Sequence, residues 1–118
     1  MPQVTVQYSA PLAAGFSRRE FALAVHNAAS DLISSATKGF KTRFIVLDET
    51  VVGHGNPNHH MLHVIVDILP GRSEELRARL GEPVLDLLEA HLVIPAEHSV
   101  QMTTEIRELR GYHQRILP

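Results

Sequence analysis

The chain has 118 residues, with 11 Lys and Arg against 13 Asp and Glu for a formal charge of −2, no cysteine and no tryptophan. That length suits one domain with a genuine core, residues 1–118 as a single unit, and the near-neutral balance and scarce aromatics exclude the basic patch and stacking platforms of a nucleic-acid binder. Without cysteine there is no disulfide, thiol catalysis or Cys-zinc site; no apolar run is long enough to span a membrane and no basic-then-apolar leader is evident, so a soluble, cytoplasmic protein is expected.

The first feature is Met1-Pro2. Small second residues are normally exposed when a cell trims the initiator methionine. Pro2 would then carry a free secondary amine, a group no side chain offers. α-Amino groups titrate at about 7.7–8.0, and burial or nearby cations lower that further. Such an amine can be an unprotonated base at neutral pH.

Val4, Val6 and Tyr8 alternate with Thr5, Gln7 and Ser9, the period of a half-buried strand. A loop with Pro11 and Gly15 follows. Ser17-Arg18-Arg19-Glu20 then has the pattern of a capping box, opening a helix whose stripe is Phe21, Ala24, Val25, Ala28, Ala29, Leu32 and Ile33. Phe40 to Val52 is a second extended segment, and Gly53 to His59 has turn composition. Met61 to Leu69 is a third strand, apolar enough to be central. After Pro70-Gly71-Arg72, Ser73 is the N-cap of a second helix with the stripe Leu76, Leu80, Val84, Leu87, Leu88 and Leu92, which Gly81 and Pro83 should bend. Ser99 to Leu109 is the last strand, and residues 110–118 form a tail.

The order is β-α-β twice, over about 2–52 and 60–109, with parallel strands in each half. The expected fold class is α+β: a four-stranded sheet with two helices on one face. One sheet face (Val4, Val6, Tyr8, Phe44, Val46, Val64, Val66, Ile68, Val100, Met102) is apolar and should lie under both helices. The other (Thr5, Gln7, Lys41, Arg43, Ile45, His63, Ile65, Gln101, Thr103, Glu105) is mixed. Its scattered Ile45, Ile65 and Met61 favour a subunit interface with a polar cavity over plain solvent.

Four of the eight histidines, His54, His59, His60 and His63, lie within ten positions. Imidazole suits zinc or nickel, yet the spacing fits no familiar ligand pattern and carboxylates nearby are sparse. No metal site is assigned. His63 falls on the mixed face, and His26 and His91 read as partly buried helix residues.

Taken together, Met1-Pro2 opening a strand, Gly39-x-Lys41-x-Arg43 opening the second, Gly71-Arg72-Ser73 before the second helix and Glu105-Ile106-x-Glu108-Leu109 in the last strand resemble the tautomerase superfamily, and within it the 5-carboxymethyl-2-hydroxymuconate Δ-isomerases. The resemblance runs from Met1 to about Leu109. It implies a tautomerase fold, a homotrimer, no cofactor and a place in aromatic catabolism. It also implies that Pro2 is the catalytic base and Arg72 a catalytic arginine, with Arg43 and Lys41 binding a dicarboxylate substrate. Lys41 departs from the family's arginine: it keeps the charge but loses the planar fork.

Blander readings stand beside these. Arg72 can be a solvated charge flanking an N-cap, and Arg43 and Lys41 can pair with Glu105 or Asp67. A related tautomerase acting on another 2-oxo acid, or a decarboxylase or hydratase using the same amine, also fits. So does a non-catalytic ligand-binding module, because β-α-β-β-α-β is equally the order of the ferredoxin-like fold.

Overall fold

Gln3–Ser9 buries every second side chain and forms β1, with Val4 and Val6 wholly enclosed. The computed structural model describes residues 2–118; Met1, whose removal the sequence predicts, lies outside them. The remaining elements are α1 (Arg18–Ile33), β2 (Lys41–Leu47), β3 (His59–Ile68), α2 (Glu74–Ala90) and β4 (Ser99–Glu108). The strands form one sheet in the order β2-β1-β3-β4. β1 runs parallel to β2 and antiparallel to β3, and β3 runs parallel to β4. In each half the two strands joined by a helix are therefore direct neighbours. The ferredoxin-like arrangement splits that unit with an intervening strand, so its topology is not the one present.

The expected faces are those observed except at Val46, which was expected under the helices but is 48% exposed on the edge strand β2. Val4, Val6, Tyr8, Leu62, Val64, Val66 and Ile68 meet Phe21, Val25, Ala29, Leu80, Val84 and Leu88 of the helices in one core. Each such aliphatic or aromatic side chain contributes about 1.5–3 kcal/mol when fully removed from water. Phe16 lies among Tyr8, Phe21 and Phe44, with ring centroids 5.7–5.8 Å away. Among the described residues no helix covers the other sheet face, where Ile45 remains 41% exposed.

Three local expectations are revised. The second extended segment stops at Leu47, not Val52, because its neighbour β1 stops at Ser9 and turns into a short 3-10 stretch carrying Pro11. β3 begins at His59, two residues early, because Ser99 of β4 supplies a partner for it. Ser17 stands at the N-cap of α1 but its hydroxyl accepts no cap bond. Its backbone N–H donates to His91 O at 2.9 Å, and ψ there is 75°, whereas Ser73, with ψ 154°, accepts from Leu76 N at 3.1 Å. A tertiary bond thus overrides the capping box. α2 remains helical from Glu74 to Ala90 through both Gly81 and Pro83.

A close backbone approach ties the first half to the second, and a histidine pair lies within the second. Val93 N donates to Gly15 O at 2.8 Å, and a Cβ on Gly15 would lie 2.1 Å from Val93 O. The first glycine of the Gly15-x-Ser17 echo is therefore a close-approach position. His60, on the covered face, is 3% exposed; its Nε2 lies 2.8 Å from His98 Nδ1 with the rings stacked. Burial first, then the neighbouring His98 and His59, hold the His60 imidazole below its ordinary 6.5.

Gly15→Ala should lower stability by about 2 kcal/mol or more, since backbone must move to relieve the clash; equilibrium urea unfolding checks this. A histidine with a depressed folded pKa leaves the unfolded chain binding more protons. The contribution of His60 is thus fully present above 6.5 and is lost as pH falls through 6.5 and below. The urea midpoint of the native protein should fall over that window, and His60→Gln should flatten the slope.

Candidate active site

Register decides which residues meet. Gln3 is paired with Lys41 on one side and Asp67 on the other. Ile68 is paired in turn with Glu108. The start of β1, the start of β2 and the ends of β3 and β4 therefore share one edge of the sheet. Pro2 sits at that edge, buried, and its carbonyl accepts from Lys41 N at 3.2 Å.

Arg72 reaches the same edge from the turn after β3. Gly71 has φ +113°, a value a side chain would strain, and directs the chain from Ile68 towards α2. The Arg72 guanidinium donates from Nε and Nη2 to Ile33 O, at 3.3 and 3.0 Å, and from Nη1 to Leu69 O at 3.1 Å. Ile33 is the last residue of α1 and Ser34 follows in the left-handed conformation. Terminal helix carbonyls lack intrahelical partners, so Arg72 ties one of them to the end of β3. Three of its five N–H donors act in this way, and the other two have no partner among the described residues. Arg72 is thus not merely a solvated charge beside an N-cap.

Lys41 and Arg43 stand two residues apart on β2, on the open face. Lys41 Nζ donates to Gly39 O at 3.1 Å and to Gln114 Oε1 at 3.0 Å. Arg43 donates to Thr5 Oγ1 at 3.2 Å and to Gln3 Oε1. Gln3 Nε2 in turn donates to the Tyr112 hydroxyl at 2.9 Å. The tail thus lies over this edge and is not a loose end. Lys41, Arg43 and Arg72 all rest on neutral oxygens. Arg77, Arg107 and Arg110, by contrast, each meet a carboxylate, Glu108 or Glu105, at 2.8–3.1 Å. The expected alternative pairing of Lys41 or Arg43 with Glu105 or Asp67 is not what forms.

Glu105 belongs to a different group on the same face. Arg107 donates to both its oxygens, at 2.8 and 3.1 Å, and chiefly for that reason its carboxyl is held below the usual range. His63 Nε2 lies 3.3 Å from the same carboxylate and its Nδ1 lies 2.6 Å from Thr103 Oγ1. The histidine run does not converge. Alternation along β3 turns His60 to the covered face and His63 to the open one, while His54 is exposed in the turn. Among the described residues no three His, Asp or Glu side chains form a ligand set. His26 and His91 are half-buried, as expected; His26 Nε2 lies 2.7 Å from Thr42 Oγ1 and its pKa is lowered by burial.

Gln3, Tyr112 and Gln114 were not foreseen as part of this edge. Gln3 was recoverable by extending the polar positions Thr5 and Gln7 back one step. Tyr112 and Gln114 carry no periodicity that would reveal them. A concavity of about 550 Å³ runs between α1 and β2 past Phe16, Arg18, Leu23 and His26, and none of Pro2, Lys41, Arg43 or Arg72 lines it.

The family model of 5-carboxymethyl-2-hydroxymuconate isomerases matches residues 2–115, and the chain belongs to that family of tautomerase-superfamily isomerases. Among solved structures, a 5-carboxymethyl-2-hydroxymuconate isomerase from Deinococcus radiodurans R1 superposes with a TM-score of 0.81 at 20% identity, covering 97% of this chain and 88% of that one. A 5-carboxymethyl-2-hydroxymuconate delta-isomerase gives 0.80 at 16% identity, over 98% and 88%. A fused 4-OT described as a symmetric trimer gives 0.67 at 19% identity, over 91% and 85%. At these identities the superpositions speak for the fold, which is that of the tautomerases. No match emerges among curated protein sequences.

Arg72→Ala should destabilise the protein by about 1–3 kcal/mol, because carbonyls at the end of α1 and β3 lose a charged donor. Lys41→Ala should change stability by no more than about 0.5 kcal/mol, its side chain being exposed. Paired urea titrations of the two variants check the contrast.

Proposed function

We propose that this chain, as a member of that family, relocates a proton in a 2-hydroxymuconate-type dienol dicarboxylate to give the conjugated 2-oxo acid, with the amine of Pro2 as the base. The observation that carries the reading is the edge around buried Pro2. Its three cations, Lys41, Arg43 and Arg72, have only neutral oxygens for partners among the described residues. Cations so arranged are poised for an anionic guest, since a hydrogen bond between charged partners is roughly twice as strong as a neutral one.

Once Met1 is removed, the Pro2 nitrogen is a secondary amine on a buried residue just before β1. Burial and adjacent positive charge both disfavour its protonated form, so it is ready to accept a proton near neutral pH. The O–H bond at C2 of the dienol breaks and the proton passes to the amine. The two double bonds shift, and the ammonium returns a proton to C5, forming a C–H bond. One group serves as base and then acid, and no oxidant, metal or cofactor enters the balance. Lys41 and Arg43 hold the carboxylates. The two remaining N–H groups of Arg72 stabilise charge that develops on the dienolate oxygen, held in place by the three that bind backbone.

The uncovered sheet face and the exposed edge of β2 are surfaces for copies of the same chain. We assign the assembly as a homotrimer, in keeping with the symmetric trimer of the fused 4-OT. That assembly also accounts for the concavity between α1 and β2 avoiding the proposed residues: the edge around Pro2 is one wall of a site, and a neighbour supplies another. Lys41 favours one second reading, a related activity on a different 2-oxo acid. Its ammonium is a point charge where an arginine would fork two oxygens.

Ketonisation of 2-hydroxymuconate and of its 5-carboxymethyl derivative, followed in the ultraviolet, tests the assignment. The native protein should turn over one or both. Pro2→Ala should lose about 10²-fold or more of kcat with its circular dichroism unchanged. Full activity in that variant sinks the role of Pro2, and inertness of the native, Met1-processed protein towards both compounds sinks the substrate.

A further inference from the structure

Residues 109–118 lie outside every helix and strand, yet part of this tail is fastened to the proposed site. Tyr112 is half-buried, accepts from Gln3 Nε2 at 2.9 Å, and directs its hydroxyl at Gln114 Oε1, 3.4 Å away. Gln114 Oε1 accepts from Lys41 Nζ at 3.0 Å. Gln3 also accepts from Arg43. A continuous chain of hydrogen bonds therefore runs Arg43–Gln3–Tyr112–Gln114–Lys41, from one cation of β2 to the other. Its internal members are all neutral.

We propose that the segment Tyr112–Gln114 is a strap that competes with the substrate for Lys41 and thereby sets the site's affinity for dicarboxylates. The inference rests on Lys41 being a carboxylate-binding residue. The Gln114 amide oxygen is a neutral acceptor lying where one oxygen of a carboxylate would sit. It keeps the ammonium partnered and aimed while the site is empty. A carboxylate is the stronger acceptor for the same donor, so an arriving dicarboxylate displaces it. With Gln114 released, Tyr112 loses a partner and its surroundings change. An acidic residue at 114 would compete as an ion pair, and a residue without an acceptor would not compete at all. Selection of the ligand then depends on the contrast between an amide and a carboxylate at one position.

The chain makes this measurable, having two tyrosines and no tryptophan. In a Tyr8→Phe background Tyr112 is the sole emitter. The probe is adipate, a saturated six-carbon dicarboxylate that does not absorb where tyrosine is excited. Titration should give a saturable change in Tyr112 emission. Gln114→Ala should tighten the midpoint, and Gln114→Glu should weaken it by about two- to fivefold, the range of an exposed ion pair. KM for 2-hydroxymuconate should move in the same directions, with kcat little changed.

Flat Tyr112 emission overturns the strap. If adipate still inhibits turnover competitively, the isomerase reading survives that result. A higher KM in Gln114→Ala also overturns it, making Gln114 a substrate contact and not a competitor. A saturable emission change with the expected order of variants, in a protein that fails to isomerise 2-hydroxymuconate, upholds the strap and sinks the isomerase reading.

Discussion

The pairing of β1 on both sides is the constraint on which the rest of this molecule depends. Gln3 faces Lys41 in parallel register and Asp67 in antiparallel register. Because β1 is central, the beginning of the chain is interior to the sheet, and Pro2 is buried although it lies next to a terminus. Because β2 runs parallel to β1 and β3 runs against it, the start of one and the end of the other arrive at the same edge. A β-α-β unit returns its helix antiparallel to its strands, which brings the last carbonyl of α1 there too. Arg72 is the residue that uses this coincidence, joining Ile33 to Leu69.

Charge is distributed unevenly over the open sheet face, and the unevenness is organised by strand. On this face β4 keeps its charge compensated, Glu105 with Arg107 and His63, and on the covered side Glu108 pairs with Arg77 of α2 and with Arg110. β2 carries Lys41 and Arg43 against amide, hydroxyl and carbonyl oxygens. Exposed compensated pairs contribute little to stability. Cations left on neutral partners retain capacity for an anion, and they are gathered where Pro2 is. Buried Pro2 with these cations beside it is the combination that the proposed proton relay on an acidic guest would use. At the opposite end of the sheet, buried His60 stacks on half-buried His98, far along β3 from this edge. There burial favours the neutral form of the His60 imidazole.

Much of this was legible from residue order. Alternation in Val4, Val6 and Tyr8, and the stripes beginning at Phe21 and Leu76, report which faces are apolar, because side-chain direction repeats with period 2 in strands and 3.6 in helices. Those periods assigned both sheet faces and placed Lys41 and Arg43 on the open one. Ser73 capped its helix as its type and position predicted. Ser17, with the same local pattern, did not, since the bond its backbone N–H donates to the carbonyl of His91, some seventy residues on, set its conformation. Strand ends were likewise displaced wherever a partner strand stopped or continued.

By itself, then, the amino-acid order determined the element sequence, the faces and the residue types available for chemistry, all of which follow from near-neighbour spacing. Only the tertiary structure decided that the two β-α-β units are unsplit, that Arg72 grips the end of α1 and that Tyr112 and Gln114 fold back onto Gln3 and Lys41. Each of these joins positions about 40 to 110 residues apart. Contacts at that separation are chosen by strand register and by which backbone groups are left without partners once the sheet closes. Neither leaves a periodic trace in the chain.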